Sequence, residues 1–176
     1  MGDLAPIRDE ELLLRWAEYS AFTPVMRTHE TNLPAENVQV YDTPEILSKF
    51  GRLTQVYSKL KPYIQNAVRQ NTNEGIPVMR PLFLQFQDDK NVYEQNYQYM
   101  FGDDLLIAPV LQPGVSTWEV YLPGPEDWIW LWEKSLKQRG GFQTVTVDAP
   151  MGYTPVFYRA TSQYKEIFME IAQMYG

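Results

Sequence analysis

Phe22-Thr-Pro-Val-Met-Arg-Thr-His-Glu30 begins as a short apolar run and closes on an arginine, the single histidine of the chain and a glutamate. Polar groups gathered where a buried strand meets solvent are what a substrate pocket requires. Further along, Gly75-Ile-Pro-Val-Met-Arg-Pro-Leu-Phe83 repeats the Pro-Val-Met-Arg core, with a long helical pattern between the two. Strand, crossover helix, strand is the βαβ unit, so residues 22–27 and 76–83 are expected to form neighbouring strands of a parallel sheet.

Working outward, Asp9 to Tyr19 carries Leu12, Leu13 and Trp16 at helical spacing behind an acidic first turn, which predicts a short amphipathic helix. Residues 31–43 lack a helical period and form a loop directly after His29 and Glu30, where loops commonly cover a site. Thr43-Pro44-Glu45 supplies a cap with proline at the first helical position. From Ile46 through Leu53, Leu60 and Val68 apolar residues recur at three and four, predicting one long helix that Pro62 kinks or splits. A loop through Asp88 and Asp89 and a short helix from Val92 to Met100 follow.

The texture then changes. Leu105–Val110, Thr117–Leu122, Trp128–Trp132, Phe142–Val147 and Pro155–Arg159 are five strand-like runs separated by glycine and proline turns, the pattern of an antiparallel β domain starting at about Asp104. Thr144, Thr146 and Asp148 alternate with Val145 and Val147, as in a sheet with one wet face. Gln163 to Met174 predicts a terminal helix packed back on the body. Two parallel strands and three helices cannot bury such continuous apolar runs, so residues 1–103 look like an incomplete sheet.

An apolar fraction of 44% is ample for a core, and the net charge of -7 comes from scattered carboxylates without a basic patch. Nucleic acid and anionic membrane are therefore poor partners. With no cysteine, disulfides and thiolate chemistry are excluded. Met1 to Pro6 has neither the basic nor the apolar region of a signal peptide, and the apolar runs are far short of a membrane span, so a cytoplasmic location is expected. Thirteen prolines and 14% aromatics suit turns, strands and a carbohydrate-handling surface, and they are also ordinary core material.

Taken in order, Arg15-Trp16, Phe22-Thr-Pro-Val-Met-Arg-Thr-His29, Pro77-Val-Met-Arg-Pro-Leu82, Gly102-Asp-Asp-Leu-Leu-Ile-Ala-Pro-Val110, Val120-Tyr-Leu-Pro123 with Trp128 and Trp132, and Pro155-Val-Phe-Tyr-Arg159 resemble the carboxyl-terminal portion of glycoside hydrolase family 31. This family comprises α-glucosidases, α-xylosidases and sulfoquinovosidases. Through Glu11-Leu-Leu-Leu-Arg-Trp16 and Met26-Arg-Thr-His-Glu30 the chain looks most like the bacterial sulfoquinovosidases. The resemblance implies an α/β plus all-β fold: residues 1–103 supply the last βα units of a (β/α)8 TIM barrel, and residues 104–176 an antiparallel β-sandwich domain with a terminal helix. Family members use an aspartate nucleophile and an aspartate acid/base from earlier barrel segments, and neither motif is present here. The chain is therefore expected to be a carboxyl-terminal piece of a retaining α-glycosidase, inactive alone, with no catalytic residue, cofactor or metal of its own. Its expected partners are the missing barrel half or a second copy, and an α-glycoside or sulfoquinovoside once the enzyme is complete. The alternative is a non-catalytic carbohydrate-binding or structural β domain.

The resemblance also assigns roles. His29 matches a histidine that donates a hydrogen bond to a sugar hydroxyl, a contact able to tighten as the ring flattens toward an oxocarbenium-like state. Arg27 either holds the pocket rim or makes a structural ion pair. Glu30 orients His29 or faces water, and Arg80 is expected to be scaffold at the barrel end. Asp88, Asp89, Asp103 and Asp104 match no calcium-loop spacing and are expected to be turn residues. Trp128, Trp130 and Trp132 alternate and so are expected on one strand face, buried between sheets in preference to stacking on sugars.

Overall fold

A computed structural model describes residues 8–28 and 34–176. Four helices lie in it: α1 (Glu10–Ser20), α2 (Pro44–Lys59), α3 (Lys61–Glu74) and α4 (Lys165–Tyr175). Asp9 caps α1 by accepting from the Leu12 amide at 3.0 Å, and Thr43 caps α2 through Ile46 at 3.2 Å. The long helical pattern divides at Leu60, immediately before Lys61-Pro62, because a proline tolerates the first turn of a helix and breaks an interior. Gly75, at φ 73°, closes α3 in the left-handed conformation.

The strands are β1 (Met79–Pro81), β2 (Tyr99–Phe101), β3 (Leu105–Ile107), β4 (Thr117–Leu122), β5 (Asp127–Trp130), β6 (Gln138–Gly140), β7 (Gln143–Asp148) and β8 (Val156–Arg159). Six form one sheet in the order β1-β2-β3-β8-β5-β6, every pair antiparallel, and β4 pairs with β7 as a separate two-stranded ladder. The alternation of side chains across the pleat then explains why β3, β5 and β8 read as unbroken apolar runs. Leu105, Ile107, Ile129, Val156 and Tyr158 face the four helices, together with Phe22, Leu53, Tyr63 and Phe168. Leu106, Trp128, Phe157 and Met100 face the other way, onto Val120, Leu122 and Val147 of the β4–β7 ladder. The large sheet is a middle layer, apolar on both faces. Helices, an unclosed sheet and a terminal helix together have the form of partial barrel units followed by a β-sandwich.

Several expectations are corrected. Residues 22–27 form no strand: Phe22 lies in a turn, and the Phe22 and Pro24 carbonyls accept from the hydroxyls of Tyr99 at 3.0 Å and Tyr57 at 2.8 Å instead of from a neighbouring backbone. A strand exists only against a partner, and among the described residues none flanks this run. Of residues 76–83 only β1 is a strand, and it pairs antiparallel with β2, so the chain forms no parallel pair there. β1 and β2 thus lie before residue 104 yet share a sheet with β3.

The helix expected over Val92–Met100 is a 3-10 turn, Lys90–Glu94, followed by β2. The reason is local. The Gln98 amide imitates a strand neighbour of Tyr121, donating to its carbonyl and accepting from its N–H, both at 2.8 Å, and this holds the chain extended. The tryptophan row also divides: β5 ends at Trp130, so Trp128 faces the ladder while Trp132 lies among the helices, its indole donating to the Thr154 carbonyl at 2.7 Å.

Tyr63 joins helices to sheet. Its hydroxyl donates to the Phe101 carbonyl and accepts from the amides of Asp104 at 2.9 Å and Leu105 at 3.2 Å, around the β2–β3 turn. That turn needs Gly102, at φ 62°, where any Cβ would collide with the Tyr63 ring. Burial raises the Tyr63 phenol far above its ordinary value, so it stays protonated and remains a donor.

Candidate functional site

His29 and Glu30 lie outside the described residues, immediately after the segment that α1 and the Ala21–Pro24 turn deliver. Arg27 is exposed. Arg80, on β1, is only 6% exposed and pairs with Asp103 at 2.9 Å. Asp103 also accepts from the Gln70 amide of α3 at 2.6 Å, and its carbonyl accepts from Gln85 at 2.7 Å. Asp103 therefore fastens α3, β1 and the turn after β1 to the same corner.

Arg80, Met79 and Pro81 form part of the wall of a groove of about 790 Å³ between α1, β1 and the segment after β3. Its remaining surface is chiefly apolar, with Leu12, Trp16, Tyr97 and Leu111 in it. Trp16 is 65% exposed, Tyr97 71% and Leu111 53%. Large rings left this open form a patch of the kind that marks an interaction surface.

α1 is held in place by charge. Arg15 donates to the carbonyls of Val115 and Ala149, both at 2.9 Å, and to Glu18 at 3.1 Å, while Glu11 lies 3.6 Å from its Nε. Glu18, 1% exposed, also accepts from the Gly152 amide. Arg52 of α2 donates to the Gly152 carbonyl and lies 3.5 Å over the Tyr153 ring. Gly152, at φ 96°, lets the Ala149–Tyr153 loop turn both of its backbone groups toward these side chains. The loop after β7 thereby clamps the two helices that flank residues 22–27. Sequence reading treated Arg15 only as a motif residue and passed over Glu18 and Arg52. The spacing of Glu11, Arg15 and Glu18, which puts all three on one helical stripe, is the signal that was available.

Burial raises the Glu18 carboxyl above the usual glutamate range, in spite of Arg15, the Gly152 amide and Arg52, which pull it down. An acid whose pKa is raised on folding contributes stability that is fully present below its unfolded pKa and lost as pH rises through its folded pKa. Lowering pH from about 7 to about 5 should therefore favour the native chain over its Glu18→Gln variant, which does not titrate there. Parallel melting curves across that range check this; a gap in Tm that stays constant or closes would contradict it.

Two other acids expected in turns, Asp89 and Asp104, hold local structure. Asp89 accepts from the Tyr121 hydroxyl at 2.7 Å and from the amides of Asn91 and Gly124, both at 3.1 Å. Asp104 accepts from Ser162 at 2.7 Å. Among the described residues no three His, Asp or Glu side chains converge as metal ligands, and no helix is long and apolar enough to cross a membrane.

Comparison with known proteins brings these features together. Residues 3–67 match the model of the glycosyl hydrolases family 31 TIM-barrel domain, and residues 75–162 that of the glycosyl hydrolase family 31 C-terminal domain. A sulfoquinovosidase of Escherichia coli (strain K12) is 48% identical over 164 residues, covering 93% of this chain and 24% of that protein. A sulfoquinovosidase of Agrobacterium fabrum is 40% identical over 165 residues, covering 94% and 24%. The solved structure of a family 31 sulfoquinovosidase from E. rectale, in complex with an aza-sugar inhibitor, superposes with a TM-score of 0.91 at 44% identity, covering all of this chain and 26% of that one. The chain thus spans about a quarter of the length of the relatives it matches.

Proposed function

The chain belongs to glycoside hydrolase family 31, and we propose that it supplies one wall of the sugar pocket of a retaining α-glycosidase of the sulfoquinovosidase or α-glucosidase type. The single observation that carries this is the match over 93% of the chain to a sulfoquinovosidase at 48% identity. On this reading His29 donates to a hydroxyl of the sugar whose bond is cleaved, Arg27 lies at the pocket rim, Glu30 supports His29, and Arg80 with Asp103 fixes the adjoining corner.

Retaining hydrolysis needs two carboxyl groups about 5 to 5.5 Å apart, one attacking the anomeric carbon and one protonating the leaving oxygen. We place both outside this chain, on barrel segments that cover the groove between α1 and β1. A complete (β/α)8 barrel takes about 250 residues, several times the 65 that match the barrel model here, so most of such a cylinder has to come from elsewhere. The groove is apolar in the way a severed interior would be, and Trp16, Leu12 and Leu111 are the side chains such a neighbour would bury.

His29→Ala in the completed enzyme is expected to lower kcat by roughly a hundredfold, the scale of one hydrogen bond that strengthens in the transition state, and to leave Tm unchanged. Steady-state kinetics beside a melting curve decide it. Unchanged kcat would remove His29 from the pocket.

A further inference from the structure

The ladder of β4 and β7 carries a second groove, of about 590 Å³, separate in character from the apolar one. In the ladder register Glu119 stands opposite Thr146 and Tyr121 opposite Thr144, so these side chains share the outer face. Across from them runs the segment Glu94–Gln98, with Trp118 and Gln112 completing the wall. Two features make this more than a wet sheet face.

First, the floor is fixed. Gln98 is 9% exposed and spends its amide on both backbone groups of Tyr121, while the Tyr121 hydroxyl is spent on Asp89 at 2.7 Å. The groove therefore keeps its shape without a ligand. Second, the groups above that floor are free. Among the described residues the side chains of Gln112, Glu119, Thr144 and Thr146 make no hydrogen bond to protein, and the Tyr97 ring stands open to solvent.

Aromatic faces beside amides, hydroxyls and carboxylates form the surface that a pyranoside ring matches. Its C–H face packs on a ring, and its hydroxyls both donate and accept. The volume falls within the roughly 300 to 1,000 Å³ of small-molecule clefts, room for a disaccharide or trisaccharide. Charge narrows the class. The lining holds Glu94 and Glu119 and no lysine, arginine or histidine, so an anionic sugar would meet uncompensated repulsion.

We propose that this groove is a non-catalytic binding site for neutral hexopyranosides of two or three units, one that discriminates against sulfonated sugars. It shares Tyr97, Gln98 and Gln112 with the rim of the apolar groove and uses none of Arg27, His29, Glu30 and Arg80, so its failure and that of the proposed glycosidase role are distinguishable.

The test is a titration of the purified 176-residue chain with maltotriose, followed by amide and indole NMR shifts, with methyl α-sulfoquinovoside titrated in parallel. Saturable shifts at Tyr97, Gln112, Trp118 and Thr146 are expected with maltotriose, and none with the sulfonated sugar. Tyr97→Ala, which truncates an exposed ring and leaves the core intact, should weaken maltotriose binding about five- to tenfold. Absence of saturable shifts at these residues, equal affinity in the Tyr97→Ala chain, or equally strong binding of the sulfonated sugar in the same groove would each overturn the proposal.

Discussion

Incubated alone with p-nitrophenyl α-glucoside or p-nitrophenyl α-sulfoquinovoside, the chain should release nitrophenol no faster than buffer does. Glycosidases obtain accelerations of many orders of magnitude by supplying a nucleophile on one side of the anomeric carbon and an acid on the other. Losing one such group leaves residual rate; losing both removes the route, because no covalent glycosyl intermediate can form. The carboxylates this chain does hold near its sheet corners are already committed: Asp103 to Arg80, Asp104 to Ser162, Asp89 to Tyr121. None pairs with another carboxylate across an open cleft among the described residues. Hydrolysis by the chain alone that survives further purification would contradict the proposed role and place a complete site within these residues.

The second large effect concerns stability. Arg15→Ala should destabilise the chain by about 3–5 kcal/mol, the usual consequence of removing one partner of a buried charge pair. The substitution leaves the Val115 and Ala149 carbonyls without their donor and Glu18 without the cation that most offsets its burial. Against the roughly 5–15 kcal/mol that holds a domain together, that is a substantial part of the total. Removing both charges with Arg15→Met and Glu18→Leu together should restore part of the loss, since two apolar groups need no compensation, and a double-mutant cycle isolates the coupling. Urea denaturation of the native chain, Arg15→Ala and the two single and one double variants of the cycle measures it. A loss below about 1 kcal/mol for Arg15→Ala would show that the clamp is solvated and contributes no more than a surface pair.

Much of the architecture was legible because it follows from local rules. Thr43-Pro44-Glu45 started α2, Pro62 divided the helical stretch, and the strand-like runs Thr117–Leu122 and Phe142–Val147 contain the two strands of the ladder. β6 escaped notice because Gln138-Arg-Gly140 has no apolar alternation; it is a strand only by virtue of its backbone pairing with β5. Residues 22–27 failed for the opposite reason. Their apolar pattern is real, but a pattern states that a segment will be covered, not by which chain, and no strand flanks them among the described residues.

The site was less legible than the fold. Arg80 was expected as scaffold at the barrel end and Asp103 only as a turn residue; their pairing was not foreseen, since nothing in a sequence shows that residues twenty-three apart will meet. Arg15 entered only as a motif residue and Glu18 not at all, because it is the fold that lays the Ala149–Gly152 loop on top of them. Tyr97 and Gln112 belong to segments without periodicity, and only the fold brings them beside Trp118.

The measurement that bears most directly on the whole account is a titration of a family 31 barrel segment carrying both catalytic aspartates into a fixed amount of this chain, with the initial rate of α-glycoside hydrolysis as readout. Rate that rises from background and saturates at one segment per chain, and that falls away when Trp16→Ala opens the apolar groove, is the predicted result. A barrel segment that is equally active without the chain, or a mixture that stays at background although the two proteins bind, would contradict it.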